Sequence, residues 1–240
     1  MAGALAEHFG AIEGASIDAN KGAYSSAWMI IFGVIAAIMV LIGIYHIKML
    51  PSTQVPSTTK KTASEVGHEL VAVIANFFTK KHILYYICFI ILYRLAEGFI
   101  MKIAPLFLRA SRDVGGLGLS LTEIGTLNGI FGSAAFVLGS LLAGIYVSKF
   151  GLKKTLFTLC CIFNLPFVAY TFLAVAQPTN VYLIGTCITM EYFGYGFGFV
   201  GLTLFMMQQI APGKHQMSHY AFASGIMNLG VMLPGMVSGY

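Results

Sequence analysis

The chain has 240 residues, of which 58% are hydrophobic and only 10% are charged, and its mean hydropathy is +0.82. A soluble globular domain carries about 25% charged residues, so a soluble fold of this sequence would expose large apolar patches. The formal net charge of +5 comes from short lysine clusters between apolar runs. That pattern indicates membrane topology and argues against nucleic-acid binding.

Six apolar runs are long enough to cross a bilayer as helices. The first extends from Ala27 to Ile47, which meets the roughly 20 residues that a hydrocarbon core of about 30 Å requires. The other five are approximately His82 to Leu108, Leu121 to Ser148, Leu152 to Val175, Val181 to Gln209 and Met217 to Tyr240. Because irregular backbone cannot face lipid, the sequence predicts an all-α polytopic membrane protein with six transmembrane helices.

The polar segments divide the chain further. We expect residues 1–24 to be extracytoplasmic, with residues 2–10 forming the outer end of an interrupted helix, and residues 25–48 to contain the first span. Residues 49–81 read as a cytoplasmic linker, because Pro51 to Lys61 is rich in Pro, Ser, Thr and Lys. Within it, Ser64 to Phe78 has helical apolar spacing, which predicts a short amphipathic helix on the membrane surface or in solution. Residues 82–240 hold the other five spans.

Basic residues alternate between the two sides of this topology. One side holds Lys48, Lys60, Lys61, Lys80, Lys81, Lys149, Lys153, Lys154 and Lys214, and the other holds only Lys21, Arg109 and Arg112. Positive loops favour the cytoplasm, so the lysine-rich side is predicted to be inside and both ends of the chain outside.

The loop between the third and fourth spans carries a spaced motif. It consists of a glycine, a serine followed by a lysine, a second glycine and two further lysines: Gly144, Ser148, Lys149, Gly151, Lys153 and Lys154. A tight turn between two long helices needs Gly151, and the lysines suit an anionic cytoplasmic face. The pattern resembles the cytoplasmic gating loop of the major facilitator superfamily, with Ser148 where that family has Asp.

Two longer stretches resemble one branch of that superfamily. The first is Tyr93-Arg94-Leu95-Ala96-Glu97 followed by Pro105, Phe107-Leu108 and residues 115–120 (GGLGLS); the second is residues 191–199 (EYFGYGFGF), followed by His219-Tyr220 and residues 233–236 (LPGM). Together they resemble the muropeptide permeases, the branch that also includes acetyl-coenzyme A transporters. The resemblance implies a partial major-facilitator helix bundle, in which the first span is the last of an N-terminal half and the other five belong to the C-terminal half.

The resemblance also implies a function. It is proton-coupled uptake of an anionic small molecule such as a cell-wall muropeptide across a bacterial inner membrane, with no cofactor. The alternatives are transport of acetyl-coenzyme A or another organic anion, or a membrane receptor or scaffold that transports nothing. Such transporters begin in the cytoplasm, whereas this topology starts outside and stops within an apolar run at Tyr240. We therefore expect an internal fragment whose partner is the missing N-terminal half.

Charged residues inside spans are the evidence for a site that comes from the residues themselves. Each costs at least about 2.5–3.5 kcal/mol at a helix centre, so it is rarely without a role. Arg94 and Glu97 sit mid-span, three residues apart; they bind substrate or protons, or they form a structural ion pair. Lys102 lies about 140° around the helix from Glu97, and either lines the cavity or extends outward to the headgroups.

The fifth span supplies a second carboxyl group. Glu191 is near mid-span with Tyr195 one turn further on the same face. A carboxyl at this depth can take up and release a proton, so Glu191 is predicted to face the cavity, the alternative being a hydrogen-bonded packing residue. Gly194 and Gly198 are assigned to close helix packing. Asn128 either faces the cavity or bonds a neighbouring helix.

The remaining polar patterns suggest structural roles. Ser120 and Glu123 have capping-box spacing at the start of the third span, so Glu123 is predicted to cap a helix. His215 and His219 are placed in a loop and lack the Glu of a zinc hydrolase motif, so no metal site is predicted. No span contains an Asp or a Gly-x-Ser-Gly motif, which argues against an intramembrane protease. The sequence therefore favours a transporter over an enzyme.

Overall fold

The computed structural model describes residues 2–12, 17–49 and 62–237, and these residues form helices and no strand. The α-helices in chain order are α1 (Ala2–His8), α2 (Ile17–Met49), α3 (Ala63–Phe78), α4 (Ile83–Arg109), α5 (Leu121–Thr126), α6 (Ser133–Phe150), α7 (Leu152–Asn164), α8 (Pro166–Ala176), α9 (Val181–Phe205) and α10 (Gln216–Val237). The predicted all-α fold is confirmed. The proposed linker, Pro51 to Lys61, lies outside the described residues.

Five of the described helical segments are long and apolar enough to cross a membrane. They are Asp18–Met49, Ile83–Arg109, Leu121–Phe150, Leu152–Ala176 and Gln216–Val237. The other predicted span forms helix α9, but it is not among the five because its glycines, its tyrosines and Glu191 lower its hydropathy. Such residues are tolerated in α9 because the helix is central: it packs against α6, α7 and α8 and carries more buried residues than any other described helix.

The chain divides into two compact units, Met1–Thr62 and Ala63–Tyr240. In the first unit α1 folds back against α2. The side chain of Asn20 stabilises this packing of α1 against α2. Its Oδ1 accepts from the amide of Ile12 at 2.9 Å, and its Nδ2 donates to the carbonyl of Ile12 at 2.8 Å. Helix α1 corresponds to the interrupted helix expected at residues 2–10. The apolar side chains along α2 are largely exposed within this unit, as in a single span surrounded by lipid.

The second unit contains two groups of packed helices. In one group α9 packs against α6, α7 and α8, and in the other α4 packs against α10. The hydroxyl of Tyr93 on α4 donates to the carbonyl of Gly198 on α9 at 2.8 Å and links the two groups. Helix α3 lies against α4 and α10 and buries Val73 and Phe77. Phe77 packs against His219, which is fully buried on α10, so the expectation that His219 lies in a loop is wrong.

Glycines bring α6 and α9 into backbone contact. A methyl group at Gly196 would collide with the carbonyl of Phe136 on α6, and one at Gly139 would collide with the carbonyl of Phe193 on α9. The hydroxyl of Ser140 lies in this contact and donates to the carbonyls of Phe136 at 2.8 Å and Gly196 at 3.2 Å. Small residues allow this approach in lipid, where packing and hydrogen bonds replace the hydrophobic effect.

The two ends of the second unit are closed by side chains that bind loop carbonyls. At the lysine-rich end, the ammonium of Lys80 donates to the carbonyls of Ile210 and Pro212, and partial burial lowers the pKa of Lys80. At the opposite end, Arg112 donates to the carbonyls of Gln177 at 3.1 Å and Pro178 at 2.9 Å. The predicted capping box is also present there, since Ser120 and Glu123 bond reciprocally at the start of α5.

Candidate functional site

A small cavity of about 130 Å³ lies between α4 and α9. It contains two carboxyl groups, because Glu97 on α4 and Glu191 on α9 both line it. The remaining lining residues are Ile100, Met101, Ala104, Pro105, Asn128, Tyr170, Tyr192 and Tyr195. The volume is about that of four water molecules at roughly 30 Å³ each. Residues far apart in sequence therefore meet at one polar point inside an apolar bundle.

The two carboxyl groups are buried and have no hydrogen-bond partner among the described residues. Glu97 and Glu191 are each 4% exposed. In the part of the chain that the structure describes, neither donates to nor accepts from another protein group. Buried polar groups are normally hydrogen-bonded, because an unpaired one loses its solvation without compensation. Both carboxyls line the cavity, as predicted for Glu191, and their role in it stays a prediction.

Arg94 occupies a separate aromatic pocket. It is 5% exposed, and its Cζ lies 5.4 Å from the ring centre of Tyr195, 5.5 Å from that of Phe199 and 6.0 Å from that of Phe163. Cation–π contacts of this kind stabilise a charge by about 0.5–2 kcal/mol. No ion pair joins Arg94 to Glu97 among the described residues. The structural ion pair that the sequence allowed is therefore not formed.

The other predicted site residues divide between the cavity and the surface. Tyr195 both lines the cavity and contacts the guanidinium of Arg94. Asn128 lines the cavity from the π-helical turn Leu127–Gly132, and its Oδ1 is buried without a partner among the described residues. Lys102 is exposed and does not line the cavity; its stem lies beside Gly235 of α10. Lys102 is thus not part of the carboxyl cavity, and its extension toward the headgroups stays a prediction.

The six residues of the predicted gating loop surround a single-residue turn. Gly151 separates α6 from α7 with a φ of +79°, and its amide donates to the carbonyl of Val147 at 2.8 Å. A side chain would be strained at that φ, which accounts for the glycine. The hydroxyl of Ser148 donates to the carbonyl of Ile145 within its own helix at 2.8 Å. Gly144 faces open space, and the lysines at 149, 153 and 154 are exposed, as a loop in contact with headgroups requires.

Several residues of the site were not found by sequence reasoning. Tyr170 reaches the cavity from α8, and Tyr192 follows Glu191 on α9. Phe163 completes the pocket of Arg94 from α7. Tyr192 could have been found as the neighbour of an intramembrane acid. Tyr170 and Phe163 carried no signal, because an aromatic residue in an apolar run does not reveal which side of its helix meets another.

The arrangement can hold water and exchange protons in an otherwise apolar bundle. Its unpartnered groups are two carboxyls and an amide oxygen, and three tyrosines complete the polar wall. Two larger hollows of about 640 and 530 Å³ have walls whose surface is mainly apolar, which suits lipid chains better than a polar solute. The carboxyl cavity is therefore the best candidate for a functional site among the described residues.

Comparisons with known proteins agree with this architecture. The sequence profile of the Major Facilitator Superfamily matches residues 1–239. The anhydromuropeptide permeases of Escherichia coli strain K12 and of Escherichia coli O157:H7 are each 22% identical over 185 residues. The match covers 77% of this chain but only 36% of each permease, so the chain spans well under half of those relatives. No solved structure matches significantly.

The resemblance to muropeptide permeases that the motifs predict is thus confirmed as a distant similarity. The five membrane-spanning segments and the family match together make the chain an integral membrane protein. With the profile extending over almost every residue, this chain belongs to the Major Facilitator Superfamily of membrane transporters.

Proposed function

We propose that the chain acts in secondary active transport and couples uptake of an anionic solute to protons, with cell-wall muropeptides as the solute class and a bacterial inner membrane as the location. The observation that carries this proposal is the cavity holding Glu97 and Glu191, two buried carboxyls that make no hydrogen bond to any residue that the structure describes. Titratable groups at membrane depth commonly serve proton relays and solute pathways. In transporter folds of this kind, sites lie near the midplane between packed helices.

The muropeptide class is supported by the similarity to anhydromuropeptide permeases and by the Arg94 cation beside the cavity. The carboxyls would carry protons, and an acidic solute would balance the positive charge of the neighbouring guanidinium. Acetyl-coenzyme A is also anionic, so the same charge arrangement could serve it and the test must separate the two solutes.

Proton uptake by proteoliposomes tests the proposal directly. The complete gene product is reconstituted with a pH-sensitive dye inside the vesicles, and an anhydromuropeptide or acetyl-coenzyme A is added outside. We expect the lumen to acidify when the anhydromuropeptide is added, with little response to acetyl-coenzyme A and none in protein-free liposomes. Acidification with acetyl-coenzyme A alone would assign the other solute. The absence of any solute-dependent proton flux would favour a receptor or scaffold.

A further inference from the structure

Arg94 is a buried cationic side chain that forms no close ion pair with any described residue, and Glu97, three residues further along the same helix, attracts it only from a distance. Its Nε and Nη1 atoms are shielded from solvent and make no hydrogen bond. A guanidinium remains protonated at any physiological pH, so the group cannot avoid its burial by losing charge. A buried charge without a partner is unfavourable, which indicates that a partner is supplied in another state of the protein.

In the described parts of α7, α9 and α10, the side chains in contact with the guanidinium are aromatic, and the one acidic residue, Glu191, lines the cavity instead. Three aromatic rings surround the guanidinium, from Phe163 on α7 and from Tyr195 and Phe199 on α9. On the α10 side Arg94 faces Gly230, which has no side chain; a methyl group there would lie 3.2 Å from Cβ of Arg94. Glu97 belongs to the same helix, lines the cavity and attracts the charge of Arg94 without forming a close ion pair with it.

Tyr195 connects this pocket to the cavity. Its ring centre lies 5.4 Å from Cζ of Arg94, and the same residue is part of the lining of the carboxyl cavity. A change of its side-chain rotamer would open the cavity toward Nε and Nη1 of Arg94, and an arginine fork binds a carboxylate with matched geometry. The aromatic rings hold the cation in place until an anion arrives.

We propose that Arg94 is the residue that binds the carboxylate of the transported solute, which reaches it through the cavity when Tyr195 moves. The inference rests on the proposed function and deepens it by separating two tasks. Arg94 recognises the anionic group, and the cavity of Glu97 and Glu191 handles protons. Lys102, exposed beside Gly235, takes no part in anion recognition.

Binding of two matched sugars tests the assignment. N-acetylmuramic acid carries a carboxylate, and N-acetylglucosamine is the corresponding sugar without it. Calorimetric titrations use the complete gene product in lipid nanodiscs and compare wild type, Arg94→Gln, Arg94→Lys and Arg109→Gln. Arg109 lies on the same helix and is exposed, so it is the control for loss of a positive charge.

We expect wild type to prefer N-acetylmuramic acid, and Arg94→Gln to weaken its binding about 10- to 100-fold while leaving N-acetylglucosamine binding unchanged. Arg94→Lys, which keeps the charge but loses the fork, should retain part of the preference, and Arg109→Gln all of it. Equal binding of the two sugars by wild type would overturn the inference, as would an unchanged preference in Arg94→Gln.

Thermal denaturation of each variant separates recognition from folding. If Arg94→Gln lowers the Tm but both Arg94 variants keep the sugar preference, the partner of Arg94 is a carboxylate elsewhere in the protein and the inference fails. If Arg94→Gln does not fold, the binding data of Arg94→Lys test the inference alone. The inference requires that this variant prefers N-acetylmuramic acid over N-acetylglucosamine less strongly than wild type does. The proposed function is tested separately by the proteoliposome assay, and it fails if no solute drives proton uptake by the wild type.

Discussion

We expect the replacement of Glu191 with glutamine to abolish solute-dependent proton uptake and to leave a folded protein in the membrane. Glutamine has nearly the shape of a protonated glutamic acid, so the packing of α9 against α6 and α7 is kept. It cannot take up or release a proton, however, and Glu191 is one of the two carboxyls in the cavity. The measurement is luminal acidification of proteoliposomes on addition of an anhydromuropeptide, together with the pH dependence of solute uptake.

Glu123→Gln is the matched control for this variant. Glu123 lies on α5 and forms a capping box with Ser120, a role that glutamine also fills. We expect this control to acidify the vesicles like wild type, whereas E191Q gives the signal of protein-free liposomes. Normal pH-dependent uptake by E191Q would remove Glu191 from the mechanism and leave Glu97 as the remaining intramembrane carboxyl of the cavity.

Gly196→Ala is expected to cause the largest loss of stability among single methyl additions to α9. The added Cβ would collide with the carbonyl oxygen of Phe136, and the next nearest atoms are backbone atoms of the same residue. Backbone cannot move aside as the end of a flexible side chain can, so α6 and α9 must separate. The cost should reach the upper end of the ~1–3 kcal/mol typical of overpacking. For a chain of this size the Tm in detergent should then fall by roughly 5–10 °C.

The same substitution at Gly225 controls for helix propensity. Gly225 is on α10 and has nothing within 4 Å of an added Cβ. Since alanine favours a helix over glycine by up to about 1 kcal/mol, Gly225→Ala should leave the Tm unchanged or raise it slightly. An equal Tm for Gly196→Ala and wild type would show that α6 and α9 are not in backbone contact.

The helices were predictable from sequence because membrane physics leaves few choices. A long apolar run that must satisfy its own backbone in lipid becomes a helix, so the segments around α4, α7 and α10 follow from hydropathy alone. Gly151 was predictable as a turn, because a one-residue reversal between two helices requires its φ of +79°. Gly194 and Gly198 were assigned to packing, and methyl groups there would indeed collide with Ile162 and Phe163.

The interior of the site was only partly predictable. Mid-span position identified Arg94, Glu97 and Glu191 as unusual, since a charge at that depth is costly. Their three-residue spacing also suggested that Arg94 and Glu97 form a pair. Two positions three residues apart on a helix differ by about 60° in direction, however. That difference is enough for Glu97 to line the cavity while Arg94 enters the aromatic pocket.

The site residues that the sequence did not indicate are set by contacts between helices that are distant in sequence. Tyr170 closes the cavity from α8 and Phe163 flanks Arg94 from α7, and each sits in a run where every residue is compatible with lipid. The direction in which such a residue points depends on how the helices rotate against each other. The glycine contacts between α6 and α9 fix that rotation, and hydropathy does not record it.

The central claim is that the cavity beside Glu97 and Glu191 belongs to a water-filled path through the membrane, and cysteine labelling tests it. Ala104 lines the cavity, whereas Leu106, two residues away on α4, is 72% exposed and does not line it, so we assign Leu106 to the lipid-facing surface. Each is changed to cysteine in a variant lacking Cys88, Cys160, Cys161 and Cys187, and both are exposed to a membrane-impermeant charged thiol reagent in proteoliposomes. The account predicts that A104C is labelled, that an anhydromuropeptide slows its labelling, and that L106C remains unlabelled. Labelling of L106C with none at A104C would contradict it.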